Sequence, residues 1–287
     1  MASTREIRRR IRSISSTAQI TRAMQMVAAS KMRKAQQAAI DFRPFMQRLY
    51  RMQRTATTHA AGFTHPLLET REVKTRAIIL VASDKGLCGA LNSNLFRLVA
   101  RENPNSTVFI TAGRKASQFV ARTRRTLVAE FPYGDTPRFP ESRAIASLAR
   151  DLFLKGDVDE VKIVATRFVN TLVQQPVEFE FLPICDLKGL QVPGAPSPDL
   201  KNDGVEFTFE PDTSDIIAFV LGHYLNIMVH AVLLNAKASE QSARMVSMKG
   251  ATDNAADMIK DLTLEYNKLR QGRITQELLE IAGGQAG

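Results

Sequence analysis

The sequence predicts an α/β protein: an antiparallel coiled coil of long N- and C-terminal helices joined to a doubly wound, Rossmann-like α/β domain. Three observations carry that expectation. Residues 3–58 contain one proline, Pro44, and no glycine, while residues 212–282 contain no proline at all. Between these stretches, short apolar runs alternate with helix-like runs and turn residues, as strands and crossover helices do. At 1.5 Å per residue the end helices would extend roughly 80 and 105 Å, several times the width of a small domain. Helices that long have to pair with each other. The expected divisions are therefore 1–58, 59–211 and 212–287, with the first paired to the last.

Each element has its own signal. In the first helix Ile7, Ile11, Ile14, Ala18, Thr21, Gln25 and Ala28 continue through Met32, Ala35, Ala39, Phe42, Met46 and Leu49 at alternating steps of four and three, which is a coiled-coil seam. Ser3 and Glu6 have the spacing of a capping box, and Pro44 removes a backbone hydrogen bond and is expected to bend the helix. In the middle, 77–83 reads as a buried strand, 91–100 as a helix, 107–112 as a strand, 145–154 as a helix and 161–166 as a strand. The alternating run 177–182 reads as an edge strand. A loop carrying Pro193, Gly194, Pro196 and Pro198 follows, then a short strand at 205–209. The last helix repeats the seam from Ile217 through Leu221, Tyr224, Met228, Ala231, Asn235, Ala238, Ser242 and Met245. Its phase slips near Gly250 and resumes at Ala255, Ile259, Leu262, Tyr266 and Leu269, and such a slip changes the local supercoil.

The charge is concentrated. Residues 1–54 hold 13 Lys/Arg against Glu6 and Asp41, whereas the whole chain has a net charge of +10. The excess belongs to the first helix, which is one basic rod. A basic, acid-poor N-terminus also describes a transit peptide, but the pattern runs unbroken into the helix and is read as mature structure. The run 216–234 carries no acidic or basic side chain and approaches membrane-span length. Gly222, His223, Asn226 and His230 give it a polar stripe, so a buried helix packed on the sheet is expected. Two cysteines, Cys88 and Cys185, do not make a disulfide framework.

Candidate chemistry is sparse. The turn after the first strand, SDKGLCGALNSN at 83–94, has two glycines but neither the Walker spacing nor the dinucleotide fingerprint. Cys88 there reads as a small packed residue. His59, His65, His223 and His230 lack metal-ligand spacing. No catalytic, cofactor or metal residue is expected from these patterns.

Three long segments carry a resemblance. QITRAMQMVAASKMRKAQ at 19–36, SDKGLCGALN at 83–92, and ASEQSARMVSMKGATDNAADMI with YNKLRQGRITQELLEI within 238–281 resemble the gamma subunit of F-type ATP synthases. The resemblance implies a non-catalytic rotor shaft. Its partners would be the alpha and beta subunits of a catalytic ring, an epsilon subunit and a membrane ring of c subunits, at the cytoplasmic face of a bacterial inner membrane. By the same resemblance Met24, with Arg22, Lys31, Arg33 and Lys34, would lie near an acidic loop of beta. Arg270, Gln271, Thr275 and Gln276 would contact the beta catch region, residues 278–284 would form an apolar tip in a bearing, and Glu210 would face the c ring. The family's chloroplast members carry an inserted regulatory cysteine pair that is absent here, so thiol regulation of that type is not expected. Two other readings of the residues stay open, a basic coiled-coil scaffold or nucleic-acid binder and an α/β enzyme with helical appendages.

Overall fold

A computed structural model describes residues 3–59, 64–184 and 213–284, with the side chains at 43, 49–59, 213–217 and 280–284 outside that description. Glu210, Cys185, the proline-bearing loop and the strand expected at 205–209 all lie outside the described residues. The chain separates into two compact units, one of Met1–Ala28 with Arg244–Gly287 and the other Ala29–Ala243. Two long helices, α1 (Thr4–His59) and α5 (Thr213–Gly284), contribute to both.

In the first unit the seam is as the spacing predicts. Ile7, Thr21 and Ala28 of α1 are buried, and Ile11, Ile14, Ala18 and Gln25 are half-buried between them. On α5 the seam runs through Met245, Met248, Thr252, Ala255, Ile259, Leu262, Tyr266 and Leu269, with Arg244, Ser247 and Ala251 covered beside it. The phase slip thus falls at the step from Met245 to Met248, just before Gly250, where two three-residue steps follow one another from Ser242. A step of that kind locally overwinds a coiled coil. Thr21 and Thr252 hydroxyls meet across the seam at 2.7 Å. Small residues let the backbones come that close. At the start of α1, Ser3 Oγ accepts from the Glu6 amide at 3.3 Å, but the Glu6 carboxylate reaches forward to Arg10 at 3.0 Å, so the capping box is half made.

The second unit is built on a five-stranded sheet, β1 (Arg76–Val81), β2 (Thr107–Ala112), β3 (Thr126–Phe131), β4 (Glu160–Phe168) and β5 (Gln174–Leu182), in the order β3-β2-β1-β4-β5. The first four are mutually parallel and β5 runs antiparallel to β4. Alternate residues of β1 go to opposite faces. Ile78 and Leu80 pack under α2 (Leu91–Val99) and α3 (Arg114–Arg122), while Ala77, Ile79 and Val81 pack against α4 (Phe139–Lys155) and α5. The helix α3 and the strand β3, like the short 3-10 turn Pro66–Leu68, are absent from the sequence reading. The helix is only nine residues long with its apolar positions at Ala116, Phe119 and Val120, and β3 is an exposed edge strand, so neither generates a strong period.

Within this unit α1 and α5 run antiparallel. Phe42 packs edge-on against His230, with ring centres 4.8 Å apart, and eleven residues earlier on α1 Lys31 meets the same Asp135 that Lys237 approaches from α5. From Val220 to Arg244 almost every α5 side chain is buried. Among the described residues this helix is the one long and apolar enough to cross a membrane, yet 72% of the apolar window is buried inside the protein. The apolar run expected to pack on the sheet does so. His230 is satisfied there, with Nδ1 2.9 Å from Ser142 Oγ of α4.

Candidate functional site

The first place to look is the C-terminal end of the parallel strands, where doubly wound sheets bind ligands. The loop after β1 is stitched to itself. Asn92 Nδ2 donates to Ser83 Oγ at 2.7 Å, the Ser83 amide donates to Asn92 Oδ1 at 3.3 Å, and Ser83 Oγ donates to Lys85 O at 2.9 Å. Cys88 is buried beside them, its Sγ 3.4 Å from Asn92 Nδ2. Leu87 and Gly89 take positive φ values of 62° and 59° to close the turn. Ser83 and Asn92 are committed to the loop itself, so the turn serves as a rigid corner.

Lys237 and Asp135 bring charge to this corner from far along the chain. Lys237 of α5, Asp84 of the β1 loop, and Tyr133 and Asp135 of the β3–α4 connection converge there. Lys31 of α1 holds Asp135 at 2.6 Å, and that contact keeps the Asp135 carboxyl below its usual pKa. Sequence reading missed this cluster. The available signal was Lys237 itself, the first charge after the run 216–234, with Glu240 three residues on.

The other candidate residues stand on helix faces. Arg22, Arg33 and Lys34 of α1 are exposed, and Met24 is half-buried. Lys31 differs from its basic neighbours because its ammonium is turned to Asp135. In the first unit Arg270, Gln271, Thr275 and Gln276 are exposed on α5, with Thr275 Oγ1 donating back to Gln271 O at 3.0 Å. Counting equally from the Thr21–Thr252 contact, Leu269 stands opposite Thr4, the first residue of α1. Beyond that point α5 has outrun its partner helix, and residues 270–279 are exposed on every side. Ile274, Leu278 and Leu279 are among them, Leu279 being 67% exposed. The class defined by these features is an α/β protein with paired helices whose exposed candidate residues lie on helical faces and whose strand-end crevice is occupied by its own chain.

Comparison with known proteins agrees. A family profile described as ATP synthase matches residues 3–287. An ATP synthase gamma chain from Opitutus terrae is 46% identical, with 99% of this chain and 98% of the relative aligned. Another from Roseiflexus castenholzii is 43% identical over 100% of this chain and 98% of the relative. Among solved structures, a chain of the central stalk and c-ring of Tetrahymena thermophila mitochondrial ATP synthase matches with a TM-score of 0.60 at 25% identity, covering 81% of this chain and 99% of that one. A chain of the Euglena gracilis mitochondrial ATP synthase rotor matches with a TM-score of 0.65 over 94% of this chain and 98% of that one, and at 19% identity it shows a shared fold. The chain belongs to the ATP synthase gamma-chain family.

Proposed function

We propose that this chain is the central rotor shaft of an F-type ATP synthase, coupling ion flow through a c ring to ATP synthesis or hydrolysis at a ring of alpha and beta subunits. Its role is that of the central stalk, a subunit of the synthase and not its catalyst. The observation that carries the coupling reading is the unaccompanied end of α5. A helix end about 15 Å long at 1.5 Å per residue, exposed all round and carrying Ile274, Leu278 and Leu279, suits a sleeve of partner subunits.

The basic face of α1 fits the same setting. Arg22, Arg33 and Lys34 beside Met24 would meet the acidic loop of a beta subunit, and a screened attraction between exposed charges tolerates sliding better than a bidentate lock. Arg270, Gln271, Thr275 and Gln276 would engage the beta catch region. The epsilon subunit and c ring would take the α/β unit, with Glu210 toward the ring. In this scheme 1–58 and 212–287 are the coiled coil and 59–211 the foot. The synthase is a membrane-associated complex, and the full-length bacterial relatives support a peripheral position at the cytoplasmic face of the inner membrane.

The test is reconstitution with separately purified alpha and beta subunits, followed by magnesium-dependent ATP hydrolysis with and without the chain. One copy per three alpha–beta pairs, with hydrolysis that depends on it, is the expected result. No association and no effect on hydrolysis would refute the rotor reading.

A further inference from the structure

The crevice of a doubly wound sheet opens where the chain leaves one strand in two directions. Here that point lies between β1 and β4, because β2 follows β1 on one side and β4 returns on the other. The chain's own α5 fills it. Ser239 Oγ donates to Thr166 O at 3.4 Å near the C-terminal end of β4, and Ser242 Oγ to Thr171 O at 2.8 Å in the turn that follows it. On the β1 side the Lys237 ammonium lies 3.0 Å from Glu240, 3.9 Å from Asp135 and 4.0 Å from Asp84, and 4.8 Å from the centre of the Tyr133 ring. The Lys237 and Glu240 side chains are only 2% and 3% exposed. Lys31 of α1 closes the cluster by holding Asp135.

We propose that Lys237 is a torsional lock, a positioning residue that fixes α5 in the strand-end crevice so that sheet and helices turn as one body under torque. This deepens the central-stalk reading and rests on it. The physical reason lies in what a buried charge penalises. Against apolar isosteres an ion pair adds little net stability, but a displacement of α5 that parts the buried ammonium from Asp135 and Asp84 strips it of its partners on the sheet side, Glu240 travelling with it on the same helix. The apolar contacts of Leu221 and Met228 on the same helix resist the same motion by close packing, but they carry no direction of their own. A turn of α5 by one residue, about 100° at 3.6 residues per turn, would carry Lys237 out of the cluster and both serines off their carbonyls. Three polar contacts at the two sides of the crevice therefore define one angular setting. They also place the chain's own side chains at the strand ends, so the Rossmann-like topology persists with a mechanical use for its crevice.

The decisive variant is the double Lys237→Met/Glu240→Met, which removes both charges at nearly constant volume. In the full-length chain, amide hydrogen exchange at residues 83–87 and 164–171 is expected to rise about tenfold or more, and unchanged protection would overturn the lock. Asp135→Asn, whose side chain is 55% exposed, perturbs the same cluster with little folding risk and is expected to raise exchange at the same amides by a smaller factor. In the complete complex, with the sheet held fixed and a bead on the far end of α5, the angular fluctuation of the bead is expected to widen about twofold or more in the double variant. A wild-type width alongside faster exchange would overturn the torsional role. Failure of the wild-type chain itself to support pumping would overturn the central-stalk reading instead.

Discussion

Gly113 offers a sharp test of how the strand ends are assembled. It precedes α3 with φ 92° and ψ 141°, a region that only glycine enters without strain. An added Cβ would lie 2.1 Å from Ala82 O and 3.3 Å from the Tyr133 ring. Neither neighbour is free to yield. The Ala82 amide donates to Ala112 O at 2.9 Å, its carbonyl accepts from the Tyr133 hydroxyl at 3.0 Å, and the Gly113 amide donates to Phe131 O at 3.1 Å. Gly113→Ala therefore costs backbone strain of order 1–3 kcal/mol, plus about 1 kcal/mol for a displaced buried hydrogen bond, roughly 3 kcal/mol in all. For a unit of this size that is a fall of roughly 6–12 °C in the melting temperature. Urea titration followed by circular dichroism would measure it, with Gly86→Ala as the control. A Cβ added at Gly86 would meet nothing within 4 Å, and its φ is not positive, so the control should stay within about 0.5 kcal/mol of wild type. A Gly113→Ala chain equally close to wild type would refute the assembly described here.

Three further outcomes follow from the same contacts. Burial among Phe42, Phe139 and Ser142 pushes the His230 pKa below its ordinary 6.5, with the Glu141 charge pulling the other way. Its contribution is full above pH 6.5 and is lost as pH falls from there through the lowered folded value, because the unfolded chain takes the proton first. His65 shifts in the same direction by burial, so the comparison that isolates His230 is the melting temperature of wild type against His230→Gln between pH 7.5 and 5.5, where wild type should fall more steeply. Thr21→Val leaves the Thr252 hydroxyl without its 2.7 Å partner across the seam and should cost about 1 kcal/mol in chemical denaturation. Gly250→Ala, in an exposed helix interior with open space around it, should gain about 1 kcal/mol, and an equal loss would mean that the glycine has a packing role.

Legibility followed range. The alternating steps of the first helix placed Ile7, Thr21, Ala28, Met32, Ala35 and Met46 on the buried face, because a seam is written in residues three and four apart. The apolar run of β1 and the alternation of β5 were equally local, and the uncharged run 216–234 declared a buried helix. The site residues divided differently. Arg33, Lys34, Arg270, Gln271, Thr275 and Gln276 were reached by resemblance, and their exposure agrees with a partner-facing role without identifying what they touch. Lys31 came by the same route, and its bond to Asp135, over a hundred residues away, turns it inward.

By itself, then, the sequence determined the helical rods, their seam, the concentration of positive charge on α1 and the strand-and-helix alternation between them, since each depends on neighbours within a few residues. Tertiary structure alone decided the rest. Lys237 is buried because Asp84, Tyr133 and Asp135 reach it from two other loops, and a lysine on a helix face gives no sign of such company. The register of Thr21 on Thr252 decides that α5 outlasts α1 near Leu269, a consequence of how two distant helices align and not of either helix's own residues. Pairing energy accrues only when the chain has folded back over more than two hundred residues, so its outcome is written in three dimensions and only its components in one.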